Sequence, residues 1–204
     1  MGCNQTRDCI DRALVDIMSE KNLDRISTVE LVRKAGVSRT TFYRYYESVP
    51  QMSEDLITRF LEGFRASSDC YVASKLDPDN LAIPDPGFIK PLTYVHDTKD
   101  LFMALSGPHG NPSFTQRFVD IVREFYGGKL AYYGYVSGDY DMRLRFVLAS
   151  CPGMLRYWLS KRHDLTPAGA ASIFQHLIIA PYVLQEQQEK QSLQDQRERK
   201  SRFS

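Results

Sequence analysis

No run of apolar residues in this sequence approaches the roughly 20 that a membrane-spanning helix requires, and the start, Met1-Gly2-Cys3-Asn4-Gln5-Thr6-Arg7-Asp8, has no apolar stretch behind a basic segment. Neither a membrane span nor a secretory leader is expected, and Thr6 reads as a helix cap rather than as part of an acylation signal. Cysteine is sparse: Cys3, Cys9, Cys70 and Cys151 are scattered without a CxxC pair, and His96, His109, His163 and His176 are dispersed. That excludes a disulfide framework and a zinc site. Reduced thiols in a cytoplasmic protein without metal or cofactor are the expectation. An excess of one charge is also lacking, with 26 basic against 25 acidic residues. This rules out a strongly basic coat but leaves room for a local basic patch, so charge is read segment by segment. No stretch alternates with the period of a strand and nothing repeats. With no nucleophile elbow, phosphate loop or paired carboxylates on an apolar face, an enzyme is not expected.

What is present is an ordinary globular composition, 43% hydrophobic and 25% charged over 204 residues, enough chain for one or two domains. Apolar residues recur at helical spacing at Ile10, Ala13, Leu14, Ile17 and Met18, predicting a helix from about Thr6 to Glu20. A second helix opens at Ser27-Thr28 and stops at Gly36. Ser38 caps a third through about Tyr45, and Ser48-Val49-Pro50 opens a fourth. Proline and glycine between Leu76 and Pro91 predict an irregular connection. Helices are then expected over Lys90–Asp97, Asp100–Leu105, Pro112–Leu130 and Asp141–Leu159, the last interrupted at Pro152-Gly153. A final helix starts at Thr166-Pro167 and reaches about Ile179. The chain reads as all-α: an N-terminal three-helix bundle over 1–49, a larger helical bundle over 50–184, and a polar tail over 185–204 that includes the basic run Arg197–Arg202.

Thr28 to Tyr46, TVELVRKAGVSRTTFYRYY, carries the functional signal. Two short helices joined by a Gly-containing turn form a helix-turn-helix pattern. Arg33, Lys34, Arg39 and Arg44 place four cations there, with no acid between Lys34 and Tyr46, whereas the first 60 residues balance nine basic against nine acidic. The chemistry suits duplex DNA. Helix starts at Thr28 and Ser38 offer free N–H groups to phosphate. Arg39, Thr40 and Thr41 lie where base edges are read, and Tyr43, Arg44 and Tyr45 offer hydroxyls and charge to the backbone. Phe42 and Tyr46 are expected in the core.

These residues, from Ile26-Ser27-Thr28-Val29 through Ala35-Gly36-Val37-Ser38-Arg39-Thr40-Thr41-Phe42-Tyr43-Arg44-Tyr45-Tyr46, resemble the DNA-binding domain of the tetracycline-repressor (TetR/AcrR) family. The resemblance runs from Arg7 to about Leu56, a quarter of the chain. It implies a homodimer on a palindromic double-stranded operator, and a divergent helical domain that senses a small-molecule effector. Val49 stands where that family usually has a phosphate-contacting lysine, and Asn22 where it usually has glycine. Residues Ile89 to Ile179 look like one C-terminal subtype of the family, through Asp100-Leu101-Phe102, the Gly107–Pro112 turn and Tyr157-Trp158-Leu159.

An aromatic and Met-rich set is the expected effector site: Phe102, Met103, Phe118, Val122, Tyr126, Phe146, Met154, Tyr157 and Trp158. Such a stripe also serves as plain core. The helix Asp141–Leu159 is apolar nearly all round and must be buried on more than one side. Leu148, Leu155 and Leu159, with Phe174, Leu177 and Ile178 of the last helix, are the expected dimer interface. The competing reading is a helical adaptor whose main partner is another protein, and duplex binding that falls with salt separates the two.

Overall fold

The structure, a computed structural model, describes residues 6–73, 83–132, 140–178 and 192. Within them the chain forms α1 (Thr6–Met18), a 3-10 turn (Leu23–Arg25), α2 (Thr28–Ala35), α3 (Arg39–Tyr43), α4 (Val49–Ala73), α5 (Pro86–Asp97), α6 (Lys99–Leu105), α7 (Pro112–Tyr132) and α8 (Tyr140–Lys161). Residues 167–178 add a further helix, α9. No strand occurs among the described residues.

In α1 the five apolar positions with helical spacing are the ones buried. Met52, Leu56, Ile57, Phe60, Leu61 and Phe64 do the same along α4. With 25 residues, α4 is roughly 37 Å long at 1.5 Å per residue. It is the element shared by both halves of the molecule, packing on α1 at one end and on α5 and α7 further along. Its Phe60 and Phe64 enter an aromatic cluster with Phe102 of α6 and Phe114 and Phe118 of α7, ring centroids 4.7–6.5 Å apart. Tyr94 of α5 crosses α4 at Gly63, where a Cβ would stand 2.3 Å from the phenol oxygen, and its hydroxyl donates to the Phe60 carbonyl at 3.1 Å. Only glycine permits that approach.

Several helices differ from the pattern read in the sequence. Helix α5 starts at Pro86, inside the stretch expected to be irregular, because Asp85 accepts from the Gly87 N–H at 2.6 Å and proline is favoured in a first helical turn. Pro91 then lies within the helix. The Asp85 cap is itself held by α9: its N–H donates to Gln175 Oε1 at 2.8 Å, and Gln175 Nε2 donates to the Ile83 carbonyl at 3.1 Å. Helix α8 runs unbroken through Pro152-Gly153. Tertiary packing outweighs the local cost, since Leu148, Leu155, Trp158 and Leu159 on either side are buried. Helix α1 stops two residues early, at Met18. Residues 133–139, between α7 and α8, and the tail from Gln185, apart from residue 192, lie outside the described residues.

Candidate nucleic-acid interface

The reading head is built by capping. Ser27 Oγ accepts from the Glu30 N–H at 3.2 Å and fixes the start of α2. Gly36 ends α2 with φ 68°, the left-handed conformation that glycine adopts without penalty. Two residues on, Ser38 Oγ accepts from the Thr41 N–H at 3.0 Å and starts α3. Cap, stop and cap within twelve residues force the sharp reversal between the helices. Phe42, fully buried, then anchors α3 to the core.

That anchoring sets which side chains face outward. Arg33, Lys34, Ser38, Arg39, Thr40, Tyr43, Arg44 and Tyr45 are exposed, while Thr28 and Thr41 are half-buried. Tyr43, 57% exposed, packs edge-on against Phe42 at 5.3 Å and so presents its hydroxyl from a fixed ring. Thr41 Oγ1 is 2.8 Å from Ser38 Oγ, so these two hydroxyls are tied to the cap, whereas Thr40 is open to solvent. The structure therefore brings Ser38, Arg39, Thr40, Tyr43, Arg44 and Tyr45 onto one exposed end. Thr28 lies one residue inside the helix that Ser27 caps. Val49 is buried, so its side chain takes no part in this surface.

The pairing of charges is uneven. Among the described residues Arg33, Lys34, Arg39 and Arg44 have no ion pair, whereas Arg7, Lys21 and Arg59 do. Lys21 pairs with Glu30 at 2.5 Å. Arg7 reaches Asp55 at 2.8 Å, and Arg59 reaches Asp11 at 2.6 Å, both bridging α1 and α4. Tyr46 sits at the centre of this second group. Its hydroxyl donates to Asp11 Oδ1 at 2.5 Å and accepts from Arg7 Nε at 3.0 Å and Arg59 Nη2 at 3.3 Å. Burial, reinforced by the bond to Asp11, pushes the phenol up to about 12. The pattern of the sequence identifies Tyr46 as core but not as the hub of a polar staple. The readable signal is the pair of i,i+4 couples, Arg7/Asp11 and Asp55/Arg59, on two helices that must pack together.

In the C-terminal half, an apolar cavity of about 90 Å³ lies between α4, α5, α7, α8 and α9. It is lined by Phe64, Ser68, Gly87, Phe88, Pro91, Leu92, Phe118, Val122, Phe125, Tyr126, Val147, Cys151, Leu155, Phe174 and Ile178. Of the expected effector residues, Phe118, Val122 and Tyr126 line it. Phe102 is packed in the aromatic cluster, and the Met103 carbonyl accepts from Arg156 Nη1 at 3.3 Å. Phe146 is 73% exposed on the outer face of α8. Met154, Tyr157 and Trp158 line a separate surface groove of about 430 Å³ between α8 and α9. The expected interface residues are mostly turned inward within the subunit. Leu148, Leu155, Leu159 and Phe174 are buried within the subunit, and Ile178 lines the cavity; of the six only Leu177 is exposed. The reason is helix phase. A helix apolar on every side gives no signal for which side meets its own core. The large apolar side chains left exposed are Met142, Phe146 and Tyr157 on α8 and Ile173 and Leu177 on α9, with Tyr157 and Ile173 lining the same groove.

The fold and the two caps define an all-α protein with a helix-turn-helix near its start. Residues 84–180 match TetR_C_8, described as a transcriptional regulator C-terminal region. Over 55 residues, 25% of this chain, the sequence is 38% identical to the uncharacterized HTH-type transcriptional regulator YvdT of Bacillus subtilis; the match spans 28% of that relative's length. Among solved structures, the TetR-family regulator PfmR of Thermus thermophilus superposes with a TM-score of 0.61 at 16% identity, covering 84% of this chain and 97% of that one. FadR of Bacillus subtilis, solved in complex with stearoyl-CoA, gives 0.55 at 14% identity over 84% and 97%. The C-terminal part of the chain thus matches a transcriptional-regulator family model, and its all-α fold is that of TetR-family structures. No helix among the described residues is long and apolar enough to cross a membrane.

Proposed function

We propose that this protein is a ligand-responsive transcriptional repressor of the cytoplasm that binds a palindromic operator as a homodimer. The observation that carries the reading is the exposed end formed by Ser38, Arg39, Thr40, Tyr43, Arg44 and Tyr45, whose cations lack acidic partners among the described residues. Unpaired cations beside a capped helix start are available for phosphate, and the first turn of α3 is available for base edges. Residues 1–49 form the reading head, residues 50–184 the effector and dimer domain, and 185–204 a tail.

Dimerisation uses the outer faces of α8 and α9, through Met142, Phe146, Tyr157, Ile173 and Leu177. An apolar patch of this kind on two adjacent helices marks an association surface, and a two-fold operator requires a two-fold protein. The effector occupies the cavity of the C-terminal half. Binding there favours a dimer whose heads are wrongly spaced, and the shift can be no larger than the ligand's differential affinity for the two states.

The test is selection of duplexes from a random library by the purified protein, with affinity followed against salt. A recovered palindrome with a steep salt slope supports the reading. No enrichment at any salt concentration removes it in favour of the adaptor.

A further inference from the structure

We infer that the cavity between α4, α5, α7, α8 and α9 accepts a small uncharged apolar molecule, a short aliphatic chain or a single ring, and rejects charged ligands and long acyl conjugates. The inference deepens the effector reading above and names the chemistry of its ligand. Two observations carry it, the state of the polar atoms in the wall and the size of the space.

None of the described lining residues is Lys, Arg, His, Asp or Glu. Three of the described lining side chains carry polar atoms, and the two hydroxyls are committed to backbone carbonyls. Ser68 Oγ donates to the Phe64 carbonyl of its own helix at 2.8 Å. Tyr126 Oη donates to the Ile178 carbonyl at 3.1 Å, joining α7 to α9. The Cys151 thiol, pushed up to about 12 by burial, stays protonated at neutral pH and offers no negative charge to an ammonium group. A carboxylate or ammonium group entering this space loses its hydration and finds no counter-charge, a cost of several kcal/mol. The arginines next to lining residues on α4 and α7 are paired with acids: Arg65 with Glu124 at 2.9 Å, Arg117 with Glu54, and Arg123 with Asp120 at 2.8 Å. The volume of about 90 Å³ is below the ~150 Å³ of an apolar protein cavity that takes benzene. Bounded by the described residues, the space takes one ring with slight outward movement of the wall and does not enclose a long acyl chain.

Toluene, benzoate, benzylammonium and stearoyl-CoA titrated into the full-length protein, by calorimetry and by thermal unfolding, provide the test. Toluene is expected to bind once per subunit and to raise the melting temperature, with benzoate and benzylammonium at least tenfold weaker. Filling the space with Val122→Phe or, separately, Cys151→Leu should weaken toluene at least tenfold while the unliganded melting temperature is held or raised. Binding of either ion as tight as toluene, tight binding of the thioester, toluene binding unmoved by both filling variants, or no toluene binding overturns the inference. Duplex affinity is read in the same samples. Toluene that binds without changing it supports the ligand class and removes the effector reading. Benzoate that binds tightly and releases the duplex does the reverse.

Discussion

Arg39 is the first residue of α3, exposed and without an acidic partner among the described residues. If its guanidinium reads a base edge, Arg39→Ala weakens specific binding by about 1–3 kcal/mol and relaxes preference at one position of the operator. A titration of the variant against the selected site and its single-base changes checks this; equal loss on every sequence makes Arg39 a phosphate contact instead. Tyr46 poses the opposite case, a hydroxyl spent wholly inside the protein. Its folded-state ionisation lies near 12, above the ordinary tyrosine value of about 10. The folded state therefore holds this proton more tightly than the unfolded one. The stability it contributes is fully present below about pH 10 and declines as pH rises toward 12. Tyr46→Phe should destabilise the protein by about 1.5–3 kcal/mol at pH 8, the range for hydrogen bonds to charged groups. The gap to the wild type should narrow at pH 11 in urea melts. A gap that is constant with pH would detach the phenol from the network of Arg7, Asp11 and Arg59.

At the scale of elements, the contrast is between structure set by neighbours in sequence and structure set by neighbours in space. The reversal between α2 and α3 belongs to the first kind. Ser27, Gly36 and Ser38 act over three or four residues each, so spacing alone was enough to place both helices. Gly36→Ala puts a Cβ on a residue with φ 68°, where nothing crowds it sterically but the backbone conformation is strained. A loss of about 1 kcal/mol is expected. It is measurable as a lower denaturation midpoint with an unchanged slope, and a neutral effect would mean that the turn relaxes to another conformation. Helices α5 and α8 belong to the second kind. The start of α5 depends on Asp85 being held by Gln175, ninety residues away in sequence. No local signal reports that, and Pro86 and Pro91 point the other way. The phase of α8 was equally hidden, because Leu148 and Phe146 look alike in sequence although one is buried and the other exposed. The same limit applies to the cavity. Phe118, Val122 and Tyr126 were legible as a stripe on one helix, but Ser68, Gly87 and Phe174 join them only through packing of five helices.

At the scale of the whole molecule, α4 is in contact with both functional ends. It is stapled to the reading head by Arg7–Asp55 and Asp11–Arg59, and to α7 by Arg65–Glu124 and Arg117–Glu54. Its Phe64 and Ser68 line the cavity. On the function proposed above, a rigid helix of this kind carries a small change at the cavity to the helix-turn-helix. Its effect on operator binding then requires two heads held at a fixed spacing, so the proposed regulation rests on the dimer as much as on the cavity. The outer faces of α8 and α9 are the place to break it. Phe146→Glu combined with Leu177→Asp alters two exposed side chains, so the subunit core is left intact and the melting transition should stay cooperative. Sedimentation is expected to show a monomer in place of a dimer, and affinity for the full palindrome should fall toward that of a half-site, while half-site binding itself is unchanged. A double variant that stays dimeric would move the interface elsewhere. A monomer that still binds the full palindrome with wild-type affinity would show that the two heads do not need to be joined, and the argument that ligand acts through their spacing would fall with it.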